Sequence, residues 1–488
     1  MPRLFGTDGV RGLSPGELTS QIAQVLGKSA VEVLGPRLLI GRDTRASGIE
    51  LEAGLVAGIQ AAGGQALLAG VLPTPAVAWL ARELGVDGGI VISASHNPPE
   101  YNGIKFFNSK GYKLADPQED RLEAALQAYI GQEGENAEGD AAGQESEIDD
   151  GSEGAAAGQE GAAQQMQTAP PNAASPRPIP PQPIDDAAER YIAYAVQVLQ
   201  SQGFDLNGLK IVVDCAHGAA CQTTPTALRR LGAEVCAIND CYDGSDINVG
   251  CGSTDLEQLR AAVLEIKADL GIAHDGDADR VMAVDAQGDV IDGDFIMAIC
   301  ASDLLAQGRL SNDTVVCTVM SNLGFTHAMR DLGVHLEQTE VGDSKVLSRM
   351  LEGGFVLGGE QSGHIILSEF NTTGDGLISA LQLLAALRRS GRSLTQLATL
   401  MHKYPQVLAN VPVADPQAVQ ASKRLAAVAQ AARDELGDQG RVVLRASGTE
   451  PLYRVMVEAE SFERAESIAD RLVAAVTDIA TEIKLGQA

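Results

Sequence analysis

Three aspartates two residues apart, Asp275, Asp277 and Asp279 in the run DGDADR (275–280), point most directly to chemistry. In an extended segment, positions i, i+2 and i+4 turn all three carboxylates to one side. Carboxylates that close repel one another unless a cation sits among them. Oxygen ligands with few other donors select Mg²⁺ over zinc or copper. The run follows the apolar stretch LGIA, and open α/β sheets bind ligands at the loops after strand C-terminal ends. The competing reading is a solvated acidic turn, because Asp and Gly both favour turns.

RASGTEPLYR (445–454) carries a different capability. Arg445, Ser447, Thr449 and Arg454 are donors, and Gly448 lets the backbone approach closely, so the loop suits a dianionic phosphate without being a Walker loop. GGEQSGH (358–364) sets Glu360, Ser362 and His364 between glycines, polar groups that suit sugar hydroxyls or an ordinary polar hairpin. GTDGVRG (6–12) and GRDTR (41–45) offer Arg11, Arg42 and Arg45 in Gly-flanked turns. In GIVISASHNP (89–98), an apolar strand runs into Ser93, Ser95 and His96. A helix N-cap is one reading of this stretch. A serine nucleophile is another, although Ser95 and His96 are adjacent and project differently, and the G-x-S-x-G elbow of hydrolases is absent. Local spacing does not separate Ser93 from Ser95.

Strand-like apolar runs alternate with helix-like periodic ones, the pattern of α/β units with largely parallel sheets. Helices are expected over LTSQIAQVLGKSAVEVLG and IELEAGLVAGIQAAG, and strands over PRLLIGRDTR, GQALLAG, LKIVVDCAHG and TVVCTVMSN. The pattern divides the chain into α/β domains over 1–130, 184–292 and 293–406, carrying the serine, aspartate and GGEQSGH motifs in turn, and a small α+β domain over 407–488. Three α/β domains of similar pattern suit an ancient triplication. Residues 131–183 contain ten acids, one arginine and no aromatic residue, and end Pro-rich. A segment with so little to bury is expected to be a disordered insertion.

The formal charge of -29 disfavours nucleic acid and anionic membrane as partners, so an anionic substrate needs a local cluster of Arg and Lys. The seven cysteines show no C-x-x-C pair and no zinc-type spacing, and are expected to be reduced. The chain opens on MPRLFG without a basic-then-apolar leader, and no apolar run reaches the roughly 18 residues of a membrane helix, so a cytoplasmic location is expected.

Taken in order, FGTDGVRG, SASHNP followed by NGIKFF, DGDADR, GGEQSGH, and RASGTEP with RVMVE resemble the α-D-phosphohexomutase superfamily, over nearly the whole chain outside 131–183. The closest likeness is to bacterial members acting on glucosamine 6-phosphate. The resemblance implies three mixed or parallel α/β domains and a C-terminal α+β domain, related to the TATA-binding-protein fold, around a central cleft. It implies a phosphoryl group carried on Ser95, with His96 beside it, and one Mg²⁺ held by Asp275, Asp277, Asp279 and an oxygen of phospho-Ser95. Glu360 and Ser362 would read the sugar, and Arg445, Ser447, Gly448 and Thr449 would hold the non-reacting phosphate. Arg11, Lys105 and Arg280 would offset charge on the reacting one.

The implied activity interconverts glucosamine 6-phosphate and glucosamine 1-phosphate through glucosamine 1,6-bisphosphate, which also serves as activator, for cell-wall precursor synthesis. A kinase or phosphoryl donor would load Ser95, and the chain would be a monomer or homodimer. Two stretches depart from the amino-sugar pattern: Pro99-Glu100-Tyr101 before Asn102, and Ser344-Lys345 within VGDSKV (341–346). The first is similar to phosphomannomutase/phosphoglucomutase relatives.

Overall fold

The computed structural model describes residues 5–6, 9–143, 179–447 and 451–486. Four sheets organise them. The first has seven strands, in the spatial order Phe5–Gly6, Gly9–Leu13, Tyr101–Asn108, Gly88–Ile92, Arg37–Arg42, Gln65–Val71 and Gln182–Pro183. Its last four run parallel, while Tyr101–Asn108 returns antiparallel beside Gly88–Ile92. The second sheet repeats the plan: Glu234–Ile238, Lys210–Asp214 and Leu270–Ala273 are parallel, and Met282–Asp285 returns antiparallel. So does the third, with His335–Thr339, Thr314–Thr318 and Leu357–Gly359 parallel and Ile365–Leu367 returning. The fourth is a three-stranded antiparallel sheet of Gln406–Pro412, Leu452–Ala459 and Gly440–Ala446, covered by the helices Lys423–Leu436 and Phe462–Lys484.

These strands are apolar because both faces are covered. Gly88–Ile92 is buried throughout, as is Thr314–Thr318. One face of the first sheet packs on the helices Ser20–Val33 and Gly48–Ala61. The other joins a continuous core that runs through the second and third sheets, whereas the fourth keeps its own.

Two expectations need correction. The stretch 131–183 is not wholly an irregular insertion: the helix Asp116–Gly143 runs through its beginning, and Gln182–Pro183 adds an edge strand to the first sheet. Its remainder, 144–178, lies outside the described residues. Nor does SASHNP cap a helix, since the chain makes two turns, Ala94 to Asn97 and Pro98 to Tyr101, and returns as the strand Tyr101–Asn108.

Candidate active site

The serine, aspartate and GGEQSGH motifs occupy one topological position. Each connects the last parallel strand of its sheet to the antiparallel strand that returns beside it. The motifs meet at a cavity of about 400 Å³ lined by Arg11, Ser95, His96, Asp279, Arg280, Asp343, Glu360 and His364, among others.

The two serines have different surroundings. Ser93 is fully buried, its hydroxyl donates to Asp43 Oδ2 at 2.6 Å, and its Oγ accepts the amide of Ser95 at 2.9 Å. Ser95 takes a left-handed backbone conformation (φ 53°) that directs it to the cavity. Its hydroxyl donates to Asp275 Oδ2 at 2.7 Å and lies 3.2 Å from His96 Nδ1. Burial, then the charges of Arg280 and Arg11, push the His96 pKa down to about 4, so its ring is neutral at pH 7. Beneath the loop lies Arg45, completely buried, with its Nε on Asp43 at 3.0 Å.

The aspartates converge, but not by the extended geometry that their spacing predicts. The segment turns, with Ala278 left-handed (φ 56°) and its amide donating to Asp275 O at 3.0 Å, and one oxygen from each carboxylate still falls within 4.8 Å of the others. The first unit supports the cluster: Thr74 Oγ1 donates to Asp277 Oδ2 at 2.7 Å, and Lys105 Nζ lies 2.8 Å from the same oxygen. Lys105 is therefore a buried partner of the acidic cluster, whereas among the described residues the arginines that line the cavity are Arg11 and Arg280. Arg280 Nε sits 3.9 Å from Asp275 and 3.8 Å from Asp279.

Burial, reinforced by Asp279 and Asp277, raises the Asp275 pKa to about 7. Burial acts the same way on Asp279, but His364, Lys105 and Arg280 outweigh it and hold that carboxyl well below the usual range. Asp277 Oδ1 and Asp279 Oδ1 are buried without a hydrogen-bond partner. Three buried carboxylates with two such oxygens, beside a serine hydroxyl, suit a hard divalent cation.

In the third unit, Glu360 accepts the amide of Gly342 at 3.0 Å and the hydroxyl of Ser362 at 3.3 Å. Its carboxylate borders the main cavity and an adjoining one of about 370 Å³ that contains Ser362 and Lys403. His364 Nδ1 lies 3.5 Å from Asp279, and Gly374 N donates to its Nε2 at 3.2 Å, which ties this loop to the aspartates. Lys113 of the first unit pairs with Asp343 of the third. Arg445 and Arg454 stand opposite each other on neighbouring strands, like charges that favour an anion between them, and Ser447 follows with its amide on Leu452 O at 2.9 Å. Gly448 and Thr449 lie outside the described residues, and among the described ones no residue of the fourth sheet lines the 400 Å³ cavity.

The sequence alone did not single out Thr74 or Asp343. Thr74 acts through a single hydroxyl on a distant segment, which no local spacing reveals. Asp343 sits in the VGDSKV stretch, noted only for its departures.

This fold and site define a family, and the chain belongs to it: it matches phosphoglucomutase/phosphomannomutase alpha/beta/alpha domain I over residues 2–132, domain II over 189–288, domain III over 292–404 and the C-terminal domain over 408–475. This is the α-D-phosphohexomutase fold, and among the relatives similar along nearly the whole chain are phosphoglucosamine mutases. It is 50% identical over 487 residues to the enzyme of Thermobifida fusca (98% of this chain, 99% of that one) and 46% over 478 residues to that of Moorella thermoacetica (96% and 98%). A phosphoglucomutase/phosphomannomutase family protein of Burkholderia thailandensis shares the fold, with a TM-score of 0.73 at 23% identity, covering 98% of this chain and 97% of that one. So does the N-acetylphosphoglucosamine mutase of Aspergillus fumigatus, solved with GlcNAc-6P and magnesium, with a TM-score of 0.66 at 19% identity and coverage of 98% and 96%.

Proposed function

We propose that this protein is a phosphoglucosamine mutase, interconverting glucosamine 6-phosphate and glucosamine 1-phosphate in the cytoplasm through a phosphoserine and a 1,6-bisphosphate. The observation that carries the reading is the meeting of Ser95, Arg11, Arg280, Glu360 and Asp279 at one cavity, with Asp275 and Asp277 clustered on Asp279, in a chain similar to phosphoglucosamine mutases along nearly its whole length. Ser95 and not Ser93 is the carrier, because the Ser93 hydroxyl is held between Asp43 and the Ser95 amide away from the cavity.

The forward reaction begins with phospho-Ser95. Its Oγ–P bond breaks as sugar O1 bonds phosphorus, and Ser95 Oγ regains a proton. In the return step Oγ bonds the 6-phosphoryl phosphorus as the P–O6 bond breaks, so the proton lost from Oγ balances the one gained by O6; Asp275 Oδ2, 2.7 Å from Oγ, and His96 Nδ1, 3.2 Å away, are the acceptors beside that hydroxyl. Splitting the isomerisation into two transfers makes each an in-line displacement at one serine. Arg11 and Arg280 offset charge on the transferring group at the cavity wall, and Lys105 keeps Asp277 in place. Asp275, Asp277 and Asp279, with Ser95, would hold Mg²⁺, which when bound neutralises phosphoryl oxygen charge. Glu360 and Ser362 read the sugar, and Arg445, Ser447, Gly448, Thr449 and Arg454 grip the phosphate that is not reacting. Both ends of the bisphosphate present the same dianion, so one basic loop serves both orientations.

Mass spectrometry of protein incubated with Mg²⁺ and substrate tests this reading. One phosphate is expected on the peptide containing ISASHNP, at Ser95, and Ser95→Ala should abolish conversion. Phosphate on Ser93, or activity retained in S95A, overturns the assignment. Ser344-Lys345 directly follows the cavity-lining Val341, Gly342 and Asp343, so the departure there bears on sugar choice. Comparing kcat/KM for glucosamine, glucose and mannose phosphates decides between the amino-sugar enzyme and a phosphoglucomutase or phosphomannomutase.

A further inference from the structure

Two carbonyls of the serine loop, those of Ser95 and Asn97, each receive two side-chain donors. Arg45 Nη2 donates to Ser95 O at 3.1 Å and to Asn97 O at 2.7 Å. Asn248 Nδ2 donates to the same oxygens at 2.9 Å and 3.0 Å. Arg45 belongs to the first unit and also reaches the carbonyls of Pro98 and Tyr101. Asn248 comes from the second unit, from a loop fixed by its own amide on Ala216 O at 3.0 Å.

The two donors meet where the metal loop also arrives. A Cβ at Gly276, between Asp275 and Asp277, would fall 2.7 Å from Ser95 O and 2.9 Å from Asn248 Nδ2. Only a glycine lets the three segments touch. Ser95 occupies a left-handed conformation that an L-residue seldom adopts without support, and the carbonyls on either side of His96 are the handles by which that turn is held.

From this junction we infer that Asn248 is a positioning residue for Ser95: the second unit reaches into the first and, with Arg45, holds the serine loop so that Oγ faces the phosphoryl acceptor and Asp275. The inference rests on the reading of Ser95 as phosphoryl carrier and adds the contact that ties its presentation to the second unit. Asn248 is not among the residues that line the 400 Å³ cavity, so its effect falls on the transfer steps and not on sugar binding. A displacement of about 1 Å at a reacting atom costs on the order of a hundredfold in rate.

Asn248 is itself left-handed (φ 61°), which allows a clean variant, because glycine adopts that backbone conformation readily and Asn248→Gly removes the side chain that donates to the loop. The expected result is a kcat lowered about 10- to 100-fold with KM within about twofold, together with faster amide hydrogen exchange across residues 93–98. Asn312→Gly, at an exposed left-handed position of the third unit, is the control and should match wild type. If Asn248→Gly fails to fold, Asn248→Asp preserves size and replaces the donor with an acceptor, and the same two readouts apply. Wild-type kcat in the variant, or unchanged exchange at 93–98, overturns the inference. Phosphopeptide mapping of wild type is run in parallel: absence of phosphate at Ser95 defeats the functional reading itself, and faster exchange in the variant would then mark a structural clamp with no role in transfer.

Discussion

Replacing Lys105 with methionine tests how the acidic cluster is held together. In the folded chain Lys105 Nζ lies 2.8 Å from Asp277 Oδ2, and both side chains are almost completely buried. Removing one partner of such a pair strands the other charge, a loss of about 3–5 kcal/mol. Thr74 Oγ1 still donates to the same oxygen at 2.7 Å, which puts the expected loss near the lower end, about 3 kcal/mol. At about 2 °C per kcal/mol for a large cooperative unit, the variant should melt about 6 °C below wild type in EDTA. A cation among the aspartates replaces part of the missing charge, so millimolar Mg²⁺ should raise Tm more in Lys105→Met than in wild type. Thermal unfolding followed by circular dichroism, with exposed Lys110→Met as control, measures both effects. A Lys105→Met protein melting within about 1 °C of wild type in EDTA, or an equal Mg²⁺ shift in the two proteins, would refute the idea that Lys105 holds the carboxylates together.

Asp294 supplies a pH signature: burial and the neighbouring Asp292 carboxylate push its pKa from 3.8 up to about 8. The folded chain then holds a proton that the unfolded chain releases above about pH 4, so stability falls as pH rises toward 8, by up to about 1.4 kcal/mol per unit. Asp294→Asn should flatten Tm against pH between 5 and 8 and melt higher at pH 8; parallel curves would remove this explanation. Ser93→Ala should still be phosphorylated at Ser95 but turn over about tenfold more slowly, because the Asp43–Ser93–Ser95 chain of hydrogen bonds is cut; wild-type kcat would mean that the Ser93 hydroxyl is dispensable. In a thiol titration of native protein, Cys241 should react first while Cys215, Cys251, Cys300 and Cys317 stay protected until denaturant exposes all seven, and early labelling of Cys300 or Cys317, which burial pushes up to about 12, would contradict their packing in the core.

Most of the architecture was legible because buried strands and amphipathic helices write their periods directly into the chain, as in Arg37–Arg42 and Ser20–Val33. The aspartate cluster was legible as a set of ligands, but its shape was not: the spacing implied an extended strand, and a left-handed Ala278 produces the convergence instead. The choice between Ser93 and Ser95 depended on Asp43, half a hundred positions earlier in the chain, about which the local motif says nothing. Arg45 appeared as one weak basic candidate for an anion, yet its guanidinium is spent on backbone carbonyls and on Asp43, a role that leaves no pattern of side-chain types. The helix through residue 143 was hidden by the acidic, glycine-containing composition that the start of the insertion shares with its remainder.

The repeated corner between a parallel strand and its antiparallel return has a consequence for how this chain tolerates change. Each site loop is anchored at both ends by strand register, so a one-residue insertion in a flanking strand would turn its alternate side chains to the wrong face, and the error would reach the loop at once. Substitutions within a loop meet no such constraint. Three copies of one anchored corner therefore form a division of labour, in which one could acquire a nucleophile, another a cation site and the third a sugar reader while the frame that aims them stayed the same.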